Sequence, residues 1–431
     1  MVKITFLGAG STVFAKNVLG DCLCVPALKE AHIALMDIDA ERLADSERML
    51  HNLNRNLGGK AKIEATLDRR AALRGADFVV NAIQVGGYEP STVIDFEVPK
   101  KFGLRQTIGD TLGIGGIMRG LRTLPVMLDI AHDMEELCPD AWLLNYTNPM
   151  AIVTGGILRA TGVKTVGLCH SVQVCASHLC RMLELPDDNL RAKIAGINHQ
   201  AWLLEIRRNG EDLYPQIKQR AFQPEFFPKD AVRFEIMRQF GYYVTESSEH
   251  SAEYFPYFIK ATHPELIERY RIPLDEYPRR CVNQIERWQQ MREELTNNID
   301  LTHERTHEYA SSIMESIIED RPFQLGGNIL NHGLITNLPS EACVEVPCLV
   351  DGNGIRGVYV GALPPQCAAV NMTNINVQLL TIEAALTRKR EHIYHAALLD
   401  PHTGSELTID EIRALVDELI EAHGDYLPKY H

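Results

Sequence analysis

The stretch ITFLGAGST at residues 4–12 constrains this chain more than any other. A short apolar run ends in Gly8-Ala9-Gly10-Ser11, and a helical pattern, TVFAKNVLGDCL, starts at once. Gly8 permits a tight turn, Gly10 lets the backbone approach a pyrophosphate, and Ser11 stands where the helix begins. The unpaired N–H groups of that helix terminus then favour an anion. The third glycine of the usual fingerprint is absent, because position 13 is Val13. The second apolar run, HIALMDI, carries Asp37 at its end. A carboxylate there accepts hydrogen bonds from both ribose hydroxyls and repels a 2′-phosphate, so NAD is expected over NADP. The fourth run ends VVNAIQVGG, and Asn81 with Gly86 and Gly87 is expected to line the nicotinamide side of the crevice.

The rest of the first 170 residues repeats this rhythm. AKIEAT, DFVVNAI, AWLLNY and KTVGL read as strands, and longer helical patterns separate them. Alternating strand and helix predicts a doubly wound, mostly parallel α/β sheet of Rossmann type. Beyond residue 190 the pattern changes. AKIAGINHQAWLLEIRRNG reads as two strands meeting near a turn, residues 210 to 318 are charge-rich and helical, and strands return at ACVEVPCLVD and IRGVYVGAL. PQCAAVNMTNINVQLLTIEAALTRKREHIYHAALL and TIDEIRALVDELIEAH read as long closing helices. With 431 residues, two interlocked domains are expected: residues 1–190 binding NAD, and an α+β domain over 191–431 for substrate, metal and oligomer contacts, an architecture like that of lactate and malate dehydrogenases.

A formal charge of −14 argues against nucleic acid and against anionic membrane surfaces as partners. No apolar run reaches the length of a membrane span, and the chain enters a strand at once with no signal peptide. The ten cysteines are scattered without a zinc-site pattern, which suits reduced thiols in the cytoplasm.

One cysteine stands apart. GLCHSV at residues 167–172 sets Cys169 beside His170 at the end of a strand, and by the residues alone this is a metal site, a nucleophile or packing. Together with FLGAGS, QTIGDTLGIGGIMRGLR, NYTNPM, GINHQAW and LPSEACVEVPCLVDGNGIRGVYVGALP, it makes nearly the whole chain resemble glycoside hydrolase family 4. These are the NAD- and metal-dependent glycosidases, an exception to the two-carboxylate scheme of most glycosidases. Within the family, CHSV is similar to the α-galactosidase group, whereas the phospho-glycosidases carry aspartate or asparagine at the position of His170. The resemblance implies oxidation of the sugar at C3 by NAD⁺, removal of the acidified C2 proton, loss of the aglycone from C1, addition of water and return of the hydride. A divalent metal, usually Mn²⁺, stabilises the enediolate.

The residue roles follow from the same resemblance. Cys169 and His199 are expected as metal ligands, His170 as the acid toward the leaving group, and Asn148 as a substrate-binding residue that could also cap the helix after Pro149. Asp110 is expected to orient a metal-bound water or assist protonation; its bland alternative is turn formation. Tyr254 is expected as the C2 base, with Glu249, His250 and Glu253 as competitors. A homodimer or tetramer is expected, acting on a small α-galactoside. Other specificities of the family (α-glucosidase, α-glucuronidase or α-galacturonidase) remain open. So do a malate/lactate-type NAD-dependent dehydrogenase, which would accumulate NADH, and an NAD-sensing regulator, for which no basic recognition helix is evident.

Overall fold

The computed structural model describes residues 1–306 and 308–431. Six strands come first: β1 (Lys3–Leu7), β2 (His32–Met36), β3 (Lys62–Thr66), β4 (Phe78–Asn81), β5 (Trp142–Asn145) and β6 (Lys164–Gly167). They pair in parallel in the order β3-β2-β1-β4-β5-β6. Every residue of β1 and of β4 is buried, as strands covered by helices on both faces require. β1 pairs with β2 on one side and β4 on the other, so the strand order reverses there and a crevice opens at their carboxyl ends.

The sheet does not stop at β6. The remaining strands are β7 (Leu190–Ile197), β8 (Gln200–Arg208), β9 (Glu211–Asp212), β10 (Tyr243–Val244), β11 (Phe323–Leu330), β12 (Cys343–Asp351) and β13 (Gly354–Gly357). β11 runs antiparallel to β6 through the pair Asn328–Gly167, and β12, β7, β8 and β10 follow antiparallel, with β13 beside β12 and β9 beside β8. One 13-stranded sheet therefore crosses the expected boundary near residue 190. The helix Pro365–Thr387 also packs on the helix Gly113–Leu137, where Val377 and Ile382 share a core with Ile117, Met118 and Leu121. The two halves interlock through both sheet and helices.

The expected long helix near the C-terminus is two helices, Pro365–Thr387 and Arg390–Leu399, because Arg388 turns into the left-handed region at φ 61°. The last long helix, Ile409–His423, starts on a capping box: Thr408 accepts from Glu411 N–H while the Glu411 carboxylate accepts from Thr408 N–H. β11 had no expectation behind it, since FQLGGNIL carries two glycines that weaken a strand pattern. Both are needed by packing: a Cβ on Gly326 would lie 2.6 Å from Val172, and one on Gly327 would lie 2.9 Å from the Cys348 sulfur.

Candidate active site

The loop between β1 and the helix Thr12–Cys24 is tightly packed. Gly8 has φ 84°, and a Cβ there would come within 2.8 Å of the Ala82 carbonyl. Gly10 donates its N–H to Asp37 Oδ2 at 2.6 Å, and a Cβ on Gly10 would meet that oxygen at 2.8 Å. Asp37 Oδ1 accepts from Asp39 N–H at 3.0 Å. Ser11 is the N-cap of the helix Thr12–Cys24 but makes no side-chain cap, leaving the first-turn N–H groups without a side-chain acceptor. Ser46 braces the loop, donating to the Ala9 carbonyl at 2.6 Å and sharing a hydrogen bond with Thr12 Oγ1 at 2.8 Å. A backbone that close to its neighbours and an uncapped helix terminus suit a pyrophosphate.

Asn81 sits at the end of β4, and its Oδ1 has no hydrogen-bond partner among the described residues. It is fully buried, and its amide donates to Asn145 Oδ1 at 2.9 Å and Thr147 Oγ1 at 3.0 Å. These bonds tie β4 to β5. Gly86 and Gly87 do follow at φ 82° and 61°.

Three side chains from three separate elements converge beside this crevice. Cys169 leaves β6 as the N-cap of the helix His170–Met182. His199 is the second residue of the two-residue turn joining β7 to β8, held at φ 62° and 4 % exposed. Glu246 follows β10 at φ 72°. Their ligand atoms lie within 4.8 Å of one another. Left-handed backbone at a non-glycine residue costs about 1 kcal/mol or more, and such residues concentrate at functional sites. A thiol, an imidazole and a carboxylate form a mixed soft-to-hard donor set that suits a first-row divalent cation.

Burial pushes the Cys169 thiol well up, and the charges of Glu345 and Glu246 add to this. A thiol so placed ionises when a cation joins it. Burial also opposes the charge of Glu246, but His199, His250 and Arg233 outweigh it and hold the carboxyl below its usual range. Glu246 Oε2 lies 3.5 Å from His199 Nε2, and its Oε1 lies 3.4 Å from His250 Nδ1. The other nitrogen of His199, Nδ1, is 3.1 Å from the Tyr254 hydroxyl, a bond that fixes the ring.

Sequence reasoning missed Glu246. TESSEHSAEY offers three glutamates, and only the turn after β10 distinguishes this one. Its neighbours have other tasks. Glu253 accepts from the N–H groups of Thr107, Ile108 and Gly109, and burial pushes its carboxyl up to about 7 against those donors. Glu249 pairs with Arg280 at 3.6 Å. His250 does belong to the site, with its ring centroid 4.8 Å from that of His199. Tyr254 ends the short helix Ser248–Tyr254, one turn after His250, and is 1 % exposed.

The glycine-rich loop brings in Asp110. Gly115 and Gly116 press against the backbone of Gly109 and Thr111, which leaves no room for a side chain at either. Asp110 Oδ1 accepts from Thr111 Oγ1 at 2.7 Å and lies 3.9 Å from His250 Nε2, while Oδ2 accepts from Asn148 Nδ2 at 3.4 Å. Burial works against its charge, but Arg119, His250 and His199 keep the carboxyl below its usual range. Asn148 does not cap the following helix, because Pro149 holds the N-cap position; its amide turns to Asp110. His170 begins its helix half-exposed, with Nε2 2.8 Å from Glu308 Oε2. That bond raises the imidazole pKa above its ordinary value despite burial. Glu308 too had no signal in the sequence: the helical reading ran on to residue 318, whereas the helix Glu276–Asn297 ends earlier and the next begins only at Ala310.

Comparison with known proteins points to one family. A model of the family 4 glycosyl hydrolases matches residues 3–185, and one of the family 4 glycosyl hydrolase C-terminal domain matches residues 194–403. An alpha-galactosidase of Bacillus subtilis is 60 % identical over 431 residues, covering all of both chains. An alpha-galactosidase of Rhizobium meliloti is 36 % identical, over 99 % of this chain and 89 % of that one. Among solved structures, a putative glucosidase from Bacillus subtilis superimposes with a TM-score of 0.87 at 24 % identity, covering 97 % of this chain and 99 % of that one. A Thermotoga maritima 6-phospho-beta-glucosidase, solved with manganese, NAD⁺ and glucose-6-phosphate, gives 0.81 at 19 % identity over 99 % and 100 %. Malate dehydrogenase from Plasmodium falciparum gives 0.56 at 14 % identity over 90 % and 99 %, so the dehydrogenase likeness is one of fold. Two family models that together span most of the sequence, with full-length identity to an alpha-galactosidase, leave one assignment: the chain belongs to family 4 of the glycosyl hydrolases.

Proposed function

We propose that the chain is an NAD- and divalent-metal-dependent α-galactosidase acting on unphosphorylated α-galactosides. The observation that carries the chemistry is the Cys169–His199–Glu246 cluster set beside a dinucleotide cradle. The sugar preference rests on the two alpha-galactosidase relatives and on His170 at the position of the phospho-specific residue.

Gly8, Gly10, Ser11 and Asp37 would hold NAD, and Cys169, His199 and Glu246 would hold the cation, for which Mn²⁺ is the expected metal. When bound, the two groups supply a reversible hydride acceptor for C3 and Lewis-acid stabilisation of charge on the C2 and C3 oxygens. Tyr254 removes the proton from C2. Burial and the charges of Asp110, Glu253 and Glu246 hold its phenol well above its ordinary value, so it needs nearby positive charge to act. His170 delivers a proton to the departing glycosidic oxygen, a task an imidazole performs near neutral pH. Asp110 and Asn148 form one hydrogen-bonded pair that orients sugar hydroxyls or water. A dehydrogenase reading leaves the thiol–imidazole–carboxylate cluster without a task.

Among the described residues no helix is long and apolar enough to cross a membrane. All ten cysteines are free, Cys169 among them, which fits action in a reducing cytoplasm. A homodimer or tetramer is part of the same proposal. The test is a panel of p-nitrophenyl α- and β-glycosides, phosphorylated and not, assayed with NAD⁺, Mn²⁺ and reductant. Turnover of the α-galactoside, lost on stripping NAD⁺ and restored by catalytic amounts of it without net NADH, is expected. Stoichiometric NADH would refute the reading.

A further inference from the structure

We propose that Glu308 is a positioning residue for His170: it fixes the imidazole so that Nδ1, and not Nε2, delivers the proton to the leaving group. The proposal rests on the reading of His170 as the acid. The His170 side chain is 49 % exposed at the first position of its helix, so its own helix does not fix the ring. Its Nε2 is engaged by Glu308 Oε2 at 2.8 Å, and that carboxylate is only 10 % exposed. The rings of Tyr146 and Tyr309 flank the imidazole, with centroids 6.0 and 5.8 Å away. A carboxylate accepting from one ring nitrogen sets the tautomer and the direction of the other, leaving Nδ1 to face a reacting group.

Glu308 is itself anchored, which sets the pair apart from an incidental surface contact. Its N–H donates to Thr306 Oγ1 at 3.1 Å. Thr306 donates its N–H to Asp21 Oδ1 at 2.8 Å and its hydroxyl to Oδ2 at 2.7 Å, and His303 Nε2 lies 2.7 Å from Oδ1. Asp21 is wholly buried on the helix Thr12–Cys24, whose amino terminus forms the dinucleotide cradle. The preceding residue, Gly20, lets the segment lie flat on that helix, since a Cβ there would meet the His303 ring at 2.7 Å. A continuous chain of hydrogen bonds thus leads from the cofactor helix through Asp21, Thr306 and Glu308 to His170.

The test uses the leaving group, because a merely structural role cannot distinguish one aglycone from another. p-Nitrophenolate departs with little protonation, whereas the sugar aglycone of melibiose needs a proton as it leaves. Glu308→Gln, Glu308→Asp and His170→Ala are compared with the unmodified holoenzyme on p-nitrophenyl α-galactoside and on melibiose, with thermal unfolding and NAD⁺ affinity as controls. Glu308→Gln is expected to lose roughly 10- to 100-fold in kcat on melibiose and at most a few-fold on the activated substrate. Glu308→Asp should recover part of the loss, and His170→Ala should show the same split more strongly. An equal loss on both substrates, or none, in Glu308→Gln while His170→Ala splits them overturns the role of Glu308 alone. Failure of His170→Ala to split them overturns the acid reading and the proposal with it.

Discussion

Glu345 offers a quantitative test of the buried chemistry behind the site. It lies on β12 opposite Gly196 of β7 and is 1 % exposed. Its Oε1 accepts from Asn328 Nδ2 at 3.0 Å, while Oε2 has no hydrogen-bond partner among the described residues. Burial raises its carboxyl to about 7 although His199 and Asn328 pull the other way, so it is neutral in the fold at mildly acid pH. In the unfolded chain the same carboxyl ionises near 4.5. Because the folded form binds the proton more tightly, this group's stabilisation is fully present below about 4.5 and is lost as pH rises through about 7. The gap corresponds to roughly 3 kcal/mol. Glu345→Gln keeps the shape of the neutral acid and does not titrate. Relative to the unmodified protein, the variant should therefore gain about 3 kcal/mol between pH 5 and pH 8. With about 2.1 cal/mol/K of unfolding entropy per residue, that is a change of about 3 °C in the difference between their melting temperatures. Differential scanning calorimetry of both proteins in chelator, at four pH values across the window, measures it. A difference that stays flat with pH, or that moves against the variant, would refute the assignment of a neutral buried carboxyl.

Asp37→Ala removes the acceptor for the ribose hydroxyls and the partner of Gly10 N–H; NAD⁺ should bind roughly 100-fold more weakly, with the gap to NADP⁺ narrowed, and equilibrium titration of both dinucleotides checks it. Tighter NADP⁺ binding by the unmodified protein would sink that reading. Cys169→Ser and Glu246→Gln should each weaken Mn²⁺ binding by at least about 10- to 100-fold in calorimetric titration of the NAD-loaded protein, more for the thiolate. If Glu246→Gln binds Mn²⁺ as the unmodified protein does, the third ligand is wrongly assigned. Oxidation of Cys169 should abolish metal binding and reductant should restore it.

The parallel half of the fold was legible because its signals are local. Strand, glycine turn, helix and strand-end carboxylate fall in fixed order over the first forty residues, and β1, β2 and Asp37 stand where that order puts them. The antiparallel extension was less legible: β10 and β9 have two residues each, and β11 carries paired glycines. Cys169, His199, His170, Asp110, Asn148 and Tyr254 were singled out by the family resemblance, and among them Cys169 and His199 share a ligand cluster, Asp110 bonds to Asn148, and His199 bonds to Tyr254. Glu246 and Glu308 were invisible for a shared reason. Each sits in an irregular segment, and its partner lies far off in the sequence, so only tertiary pairing reveals it. Asn81 was placed at the crevice by its strand-end position alone; its amide nitrogen joins a buried network that no local pattern announced.

The central claim is that this glycosidase breaks a C–H bond at C2 of the sugar. Hydrolysis of p-nitrophenyl α-galactoside in D₂O, with the released galactose analysed by NMR, tests it directly. A proton removed from C2 and replaced from solvent leaves galactose carrying deuterium at C2, and that is the expected product. Galactose released with hydrogen alone at C2, as a conventional two-carboxylate displacement would give, contradicts the account.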